Sequence, residues 1–253
     1  MILAAGLGTR LRPLTNDRPK ALVELGGKTL LEMTLTRLRS FGVTEVIVNV
    51  HHFADQVVAY LQANRNFGMR IEISREGQLL LDTGGGLKKA AWFFLEDGAD
   101  QPFLLHNVDV LSDIDLAHML EQHLKTAALA TLAVQQRNSS RQLLFDEAGR
   151  LCGRRTAGAA ADEIVCPSPT LEPLAFCGVH IISRRFLKLV TEEAAFSIIN
   201  TYLRLAGIGE TILDFRADQY YWRDLGKPDD LSQAARDLDL HLSNRQLPQS
   251  DRT

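Results

Sequence analysis

Short apolar runs alternate with stripes of helical period along the first half of the chain. Residues 2–5 read as a strand, stopped by the turn Gly6-Leu7-Gly8-Thr9. Leu30, Leu31, Met33, Thr34, Leu35 and Leu38 form a helical stripe that ends at Phe41-Gly42, because a glycine just past the last apolar position stops a helix. The β-branched run at 45–50 predicts a strand, and Phe53, Val57, Val58 and Leu61 predict the helix after it. Residues 69–74 and 102–106 read as strands. A helix over 87–95, opened by Gly84-Gly85-Gly86, lies between them, and another follows at 114–124. This alternation predicts right-handed crossovers and a mostly parallel sheet with helices on both faces.

Near residue 127 the pattern changes. Strand-like runs at 128–135, 142–145, 151–155 and 174–182 follow with little helix between them, and the Ala/Pro-rich stretch 156–173 reads as a loop or arm. Helical spacing returns at 184–190 and 197–205, then strands at 210–216 and 220–223, and a last amphipathic helix over 231–242. The expectation is one Rossmann-like α/β domain over residues 1–242, with a strand–helix alternating half (1–125), a β-rich half (126–227), a C-terminal helix (228–242) and a frayed tail (243–253).

Composition narrows the function. The 253 residues are 45% hydrophobic, and 28 Lys+Arg against 31 Asp+Glu leave a net charge of −3. That is enough apolar material for a sizeable core and too little basic excess for a dedicated nucleic-acid binder. The sum conceals an uneven distribution: residues 1–40 hold seven Lys/Arg against three acids, a local +4. Cys152, Cys166 and Cys177 are odd in number and lack C-x-x-C spacing, which fits reduced thiols. No apolar run approaches the roughly 18 residues of a membrane span, and Met1–Ala5 is too short for a signal peptide, so a cytoplasmic protein with no membrane partner is expected.

The positive charge sits in Leu3-Ala-Ala-Gly-Leu-Gly-Thr-Arg-Leu-Arg-Pro-Leu-Thr15, followed by Arg18-Pro-Lys-Ala-Leu22. A glycine turn straight after the first strand leaves backbone N–H groups free for anions. The dinucleotide fingerprint fails, because its third glycine is Leu11; a P-loop reading of Gly27-Lys28-Thr29 fails, because the earlier glycine is Leu22. A solvated basic loop is the plainer alternative.

These residues resemble the signature of the sugar-phosphate nucleotidyltransferases, L-A-A-G-x-G-T-R-L-x-P-L-T and then P-K-x-L. The resemblance implies that Ala4, Ala5, Gly6, Gly8 and Thr9 wrap a nucleotide, that Arg10 meets its outer phosphates, and that Lys20 meets the reacting phosphate. It also implies a few more residues ahead of the turn than this strand supplies, so either a late-placed start or a clipped strand is expected. Leu81-Asp-Thr-Gly-Gly-Gly-Leu87 resembles the stretch that lines the base, which implicates Gly84 and Gly85 with Glu76 nearby; a plain helix start capped by Asp82 or Thr83 is the alternative. The Asn107-Val-Asp109 and Trp222-Arg-Asp224 elements resemble the family's two metal-binding carboxylates, here Asp109 and Asp224 for Mg²⁺, with Asn107 beside the sugar phosphate. Taken alone, a strand-end Asp is more often a cap or turn residue.

Gly178, in Phe176-Cys-Gly-Val-His180, falls where the family keeps a glycine beside the sugar, though a packing glycine in a buried strand reads equally well. The family's E-K-P triplet has no counterpart, leaving Arg141, Arg154 or Arg155 as replacements for its lysine. His51 and His52 could line the cleft with Asn49 or simply occupy a turn, and Trp92-Phe-Phe94 is expected in the core. The resemblance implies an enzyme joining an NTP to a sugar 1-phosphate, with Mg²⁺ as cofactor, Arg10, Lys20 and Asp109 as catalytic residues, and assembly into a homo-oligomer left open. A glycosyltransferase using a nucleotide-sugar and a non-catalytic nucleotide sensor are the rivals. Pyrophosphate release separates the first, and the joint presence of Lys20, Asp109 and Asp224 speaks against the second.

Overall fold

The computed structural model describes residues 1–96 and 101–246. In the first half the strands are β1 (Ile2–Leu3), the small hairpin β2 (Glu24–Leu25) and β3 (Lys28–Thr29), β4 (Glu45–Val50), β5 (Arg70–Arg75), β6 (Phe103–Asn107) and β7 (Val110–Ser112). In the second half they are β8 (Ala130–Gln135), β9 (Arg141–Phe145), β10 (Leu151–Thr156), β11 (Glu163–Ile164), β12 (Glu172–Ile182), β13 (Ile212–Arg216) and β14 (Trp222–Asp224). The helices are α1 (Leu30–Ser40), α2 (Ala54–Ala63), α3 (Asp82–Lys89), α4 (Ala91–Leu95), α5 (Leu116–Thr126), α6 (Arg185–Leu189), α7 (Ile198–Gly207) and α8 (Pro228–Gln246).

β1 is parallel to β4 and β6, and β4 is parallel to β5. β12 runs antiparallel to both β6 and β8, and β13 is parallel to β8. The sheet is therefore mixed but mostly parallel, with β12 running against its neighbours. From the first residues of β12 hangs an antiparallel ribbon of β9, β10 and β11. All six residues of β8 are buried, as in a strand covered on both faces.

Helices cover both faces. Val46, Val48 and Val50 belong to one apolar cluster, with Leu31, Leu35, Val57 and Met119. Ile47, between them, belongs to the other, with Leu87, Phe94, Phe186 and Tyr202. That alternation is the two-residue period of a strand packed on both sides. Caps fix the helix starts: the Thr29 hydroxyl accepts from Glu32 N at 3.0 Å, and the Asp115 carboxylate accepts from Ala117 N and His118 N, both at 3.0 Å.

Several expectations shift. The glycine run does not open the helix after it: α3 starts at Asp82, contains all three glycines, and ends at Lys89, with Ala90 as the junction to α4. Trp92 is 49% exposed, whereas Phe94 is buried and stacks on Phe103 with ring centroids 4.0 Å apart. The arm expected at 156–173 contains β11, and Glu172 and Pro173 already belong to β12. Residues 243–246 of the expected tail lie in α8, and 247–253 lie outside the described residues. Among the described residues no helix is long and apolar enough to cross a membrane.

Candidate active site

The carboxyl ends of β1, β4 and β6 meet at a cavity of about 540 Å³. Ala4, Ala5, Gly6, Gly8, Thr9 and Arg10 supply one wall directly after β1. Gly8 is left-handed at φ 64°, and a Cβ there would stand 3.0 Å from Thr15 Cγ2 and 3.1 Å from Lys20 Cβ, so the turn needs glycine on both counts. Its fold is held from below: the Thr15 hydroxyl donates to Gly8 O at 2.9 Å, and Ala4 N donates to Asn49 Oδ1 at 2.7 Å.

Asn49 in turn donates from Nδ2 to Glu76 Oε1 at 2.7 Å, and the second Glu76 oxygen accepts from Leu81 N at 2.7 Å. Glu76 lines the cavity, but both of its oxygens are committed to holding the wall. Gly84 and Gly85, expected beside the nucleotide, do not line this cavity. They pack α3 against the chain ahead of α7: Gly84 N donates to Phe196 O at 2.9 Å, and a Cβ on Gly85 would lie 2.7 Å from Ala194 O. Thr83 does line it, and its hydroxyl accepts from Ile198 N at 3.0 Å rather than capping α3. His51 and His52 stay outside, while Asn49 is inside.

A second cavity of about 700 Å³ adjoins the first and shares Arg10, Asn107 and Asp109 with it. Asp109 follows β6, and the Lys20 ammonium, on a buried side chain, ion-pairs with its carboxylate. β7 and β14 pair antiparallel with Val110 opposite Asp224, and Leu225 N donates to Asp109 O at 2.8 Å. Two residues far apart in sequence thus reach one place.

Arg10 Nη2 stands 4.0 Å from Asp224 Oδ2. Gly226 allows that approach, since a Cβ there would be 2.6 Å from Arg10 Nη2 and 2.8 Å from Asp224 Oδ1. Burial, reinforced by the neighbouring charge of Asp109, raises the Asp224 carboxyl above the usual range. Asp224 Oδ1 is buried without a hydrogen-bond partner among the described residues. Two neighbouring carboxylates, one of them with an unsatisfied oxygen, are a suitable donor set for a hard divalent cation. No group of three or more His, Cys, Asp and Glu side chains arranged for a metal occurs among the described residues. The remaining ligands of such an ion would have to be phosphate oxygens and water, the habit of Mg²⁺.

Gly178 lies in an irregularity of β12 at φ 74°, where a Cβ would be 2.8 Å from Asn107 Nδ2. It therefore lets β12 approach the residue that divides the two cavities. Arg141, Arg154 and Arg155 all line the second cavity, so the fold gathers every proposed replacement for the missing lysine. It adds one that the sequence did not single out. Arg137 lies with its guanidinium 3.7 Å above the Trp222 ring and donates from Nη2 to Phe176 O at 2.8 Å. No motif contains Arg137; only its position just past β8, beside β12 and β14, brings it in.

A doubly wound sheet with a glycine turn, a basic pair and two acids at its carboxyl ends defines a nucleotide-binding α/β protein. Comparison with known proteins is more specific. The nucleotidyl transferase family model matches residues 1–143, and the chain belongs to that family. It is 35% identical over 238 residues to N-acetylmuramate alpha-1-phosphate uridylyltransferase from Caulobacter vibrioides, covering 90% of this chain and 91% of that protein. It is 28% identical to UTP–glucose-1-phosphate uridylyltransferase from Synechocystis over 98% of this chain but only 65% of that longer protein. Two solved structures share the fold. HddC from Yersinia pseudotuberculosis complexed with GMP-PN has a TM-score of 0.72 at 21% identity, covering 94% of this chain and 97% of that one. A putative glucose-1-phosphate thymidylyltransferase from Bacillus anthracis, complexed with sucrose, has a TM-score of 0.75 at 15% identity, covering 99% and 96%.

Proposed function

We propose that this enzyme condenses a nucleoside triphosphate with a sugar 1-phosphate, giving an NDP-sugar and pyrophosphate. The observation that carries this reading is the shared wall of Arg10, Asn107 and Asp109 between two cavities, one behind the glycine turn and one beside Gly178. A nucleotide in the first and a sugar phosphate in the second would bring their phosphates together at that wall. A phosphate oxygen of the sugar then attacks the α-phosphorus in line, the bond to the β-phosphate oxygen breaks, and pyrophosphate leaves. Catalysis is positioning and charge neutralisation, with no covalent enzyme intermediate.

Backbone N–H groups of the Gly6–Thr9 turn and the Arg10 guanidinium hold the triphosphate. Lys20, already directed at Asp109, stabilises charge on the α-phosphate. Asp109 and Asp224 are the residues that would hold Mg²⁺, which when bound neutralises phosphate charge at the reacting centre. Asn107 and Gly178 shape the sugar side.

The test is a matrix of four NTPs against several sugar 1-phosphates, followed by pyrophosphate release with Mg²⁺ and with chelator. UTP with N-acetylmuramate 1-phosphate leads the panel, because the uridylyltransferase of that name matches nearly end to end. Magnesium-dependent pyrophosphate from at least one pair is expected. Nucleotide-sugar consumption without pyrophosphate would replace the reading with glycosyl transfer.

A further inference from the structure

The second cavity holds more positive charge than a single sugar phosphate requires. Its two acids are already engaged, Asp109 with Lys20 and Asp224 with Arg10. Two of its arginines are matched as well: Arg154 Nε lies 2.6 Å from Glu163 Oε2, and Arg155 Nη2 lies 2.8 Å from Asp162 Oδ2. Arg137 and Arg141 line the same cavity with no carboxylate partner among the described residues.

These two differ in placement. Arg137 is half-buried, its Nε has no hydrogen-bond partner among the described residues, and burial lowers its pKa. The charge of Asp224 acts on it, and both side chains line the second cavity. A half-buried guanidinium with no carboxylate in ion-pair range is stabilised when a ligand supplies an anion, and a sugar's phosphate is such an anion. Arg141 begins β9, directly across from Thr156 on β10, on the ribbon that hangs from the start of β12. It lines the cavity from that ribbon, whereas Asn107 and Asp109 line it from the end of β6. Hydroxyl and acetamido groups would need only neutral hydrogen-bond partners there. A planar five-donor fork suits a carboxylate.

We infer that Arg141 determines specificity by pairing with a carboxylate on the sugar, so that the second cavity selects an acidic sugar 1-phosphate over its neutral counterpart. The inference rests on the reaction proposed above and assigns the group that reads the sugar.

The experiment compares N-acetylmuramate 1-phosphate with N-acetylglucosamine 1-phosphate, which lacks the ether-linked carboxylic acid, in wild type, Arg141→Gln and Arg141→Lys. Wild type is expected to favour the acidic sugar in kcat/KM by about 10- to 100-fold, the range of one charge-assisted hydrogen-bonded pair. Arg141→Gln should lose that preference, with kcat/KM falling at least about tenfold more on the acidic sugar than on the neutral one, and Arg141→Lys should regain part of it. Equal preference in wild type, or an equal fall on both sugars in Arg141→Gln, overturns the assignment. Calorimetric titration of both sugars into protein holding a non-hydrolysable UTP analogue reads the same discrimination without turnover. Tighter binding of the acidic sugar, lost in Arg141→Gln, supports it; equal binding of both, or binding of neither, overturns it. Absence of pyrophosphate with every pair overturns the reaction instead, and the titration keeps the two failures apart.

Discussion

At the scale of single residues, Lys20 and Asp109 are one unit before substrate arrives. Their ion pair lies at the wall common to both cavities, with Lys20 buried and the Asp109 carboxylate partly exposed. Removing one member leaves the other uncompensated, so the two substitutions should differ in character. Asp109→Asn keeps the shape and an acceptor oxygen but loses the charge that would hold Mg²⁺. Turnover should fall close to background while the protein still melts cooperatively, and a pyrophosphate assay beside a thermal melt checks both halves. Lys20→Ala removes a donor aimed at the reacting phosphate, for which loss of about 2–4 kcal/mol of transition-state stabilisation is expected. That loss should appear in kcat rather than only in KM. A change confined to the KM for NTP would reduce Lys20 to a binding group.

At the scale of elements, the glycines of α3 show how the site depends on packing outside it. Gly86 lies under the wall: a Cβ there would stand 2.7 Å from Asn49 Nδ2 and 2.9 Å from Glu76 Oε1. Those side chains connect α3 to Ala4 N in the nucleotide turn. Gly86→Ala should therefore cost about 1–3 kcal/mol of stability by overpacking. It should also raise the KM for NTP more than the KM for the sugar phosphate, a split that denaturant titration and steady-state kinetics together would show. The sequence made the turn 6–9, Lys20 and the strands leading to Asn49 and Asn107 readable, because each is local: a strand, a breaker, a charge. The same local reading placed the glycine run at a helix start, where it has the right composition, but could not know that Phe196 and Asn49 would come to lie against it. The pairing of β7 with β14, which seats Asp224 near Asp109, joins residues more than a hundred positions apart through three-residue strands too short to carry a periodic signal. Arg137 was hidden for the same reason. Its role comes from Trp222 and Phe176, and nothing beside it in sequence marks it.

At the scale of the whole molecule, the buried histidines set how stability responds to acid. His180 accepts or shares a hydrogen bond with Tyr202 at 2.9 Å, and His123 lies between the Thr131 and Ser183 hydroxyls at 2.9 and 3.1 Å. Burial depresses His106 to about 4, His123 to about 4 and His180 to about 3. The unfolded chain takes up these protons near pH 6.5, the folded one only well below, so folded stability falls as pH drops through that interval. Asp214 works the other way, since burial raises its carboxyl to about 6 from 3.8, and its ionisation weakens the fold as pH rises through that window. Three groups against one leave the unfolded state holding about two more of these protons than the folded state at pH 5. Stability should therefore decline from pH 7 to pH 5, with a positive slope of about 3 kcal/mol per pH unit near pH 5 from these groups alone. Asp214→Asn tests the opposing contribution: it should raise the melting temperature at pH 7, where the wild-type carboxyl is ionised at a cost, and change little at pH 4, where that carboxyl is already mostly protonated. Thermal melts of both proteins across pH 4 to 8 would read the two slopes, and a wild-type stability that climbs on acidification would show that Asp214, rather than the histidines, dominates.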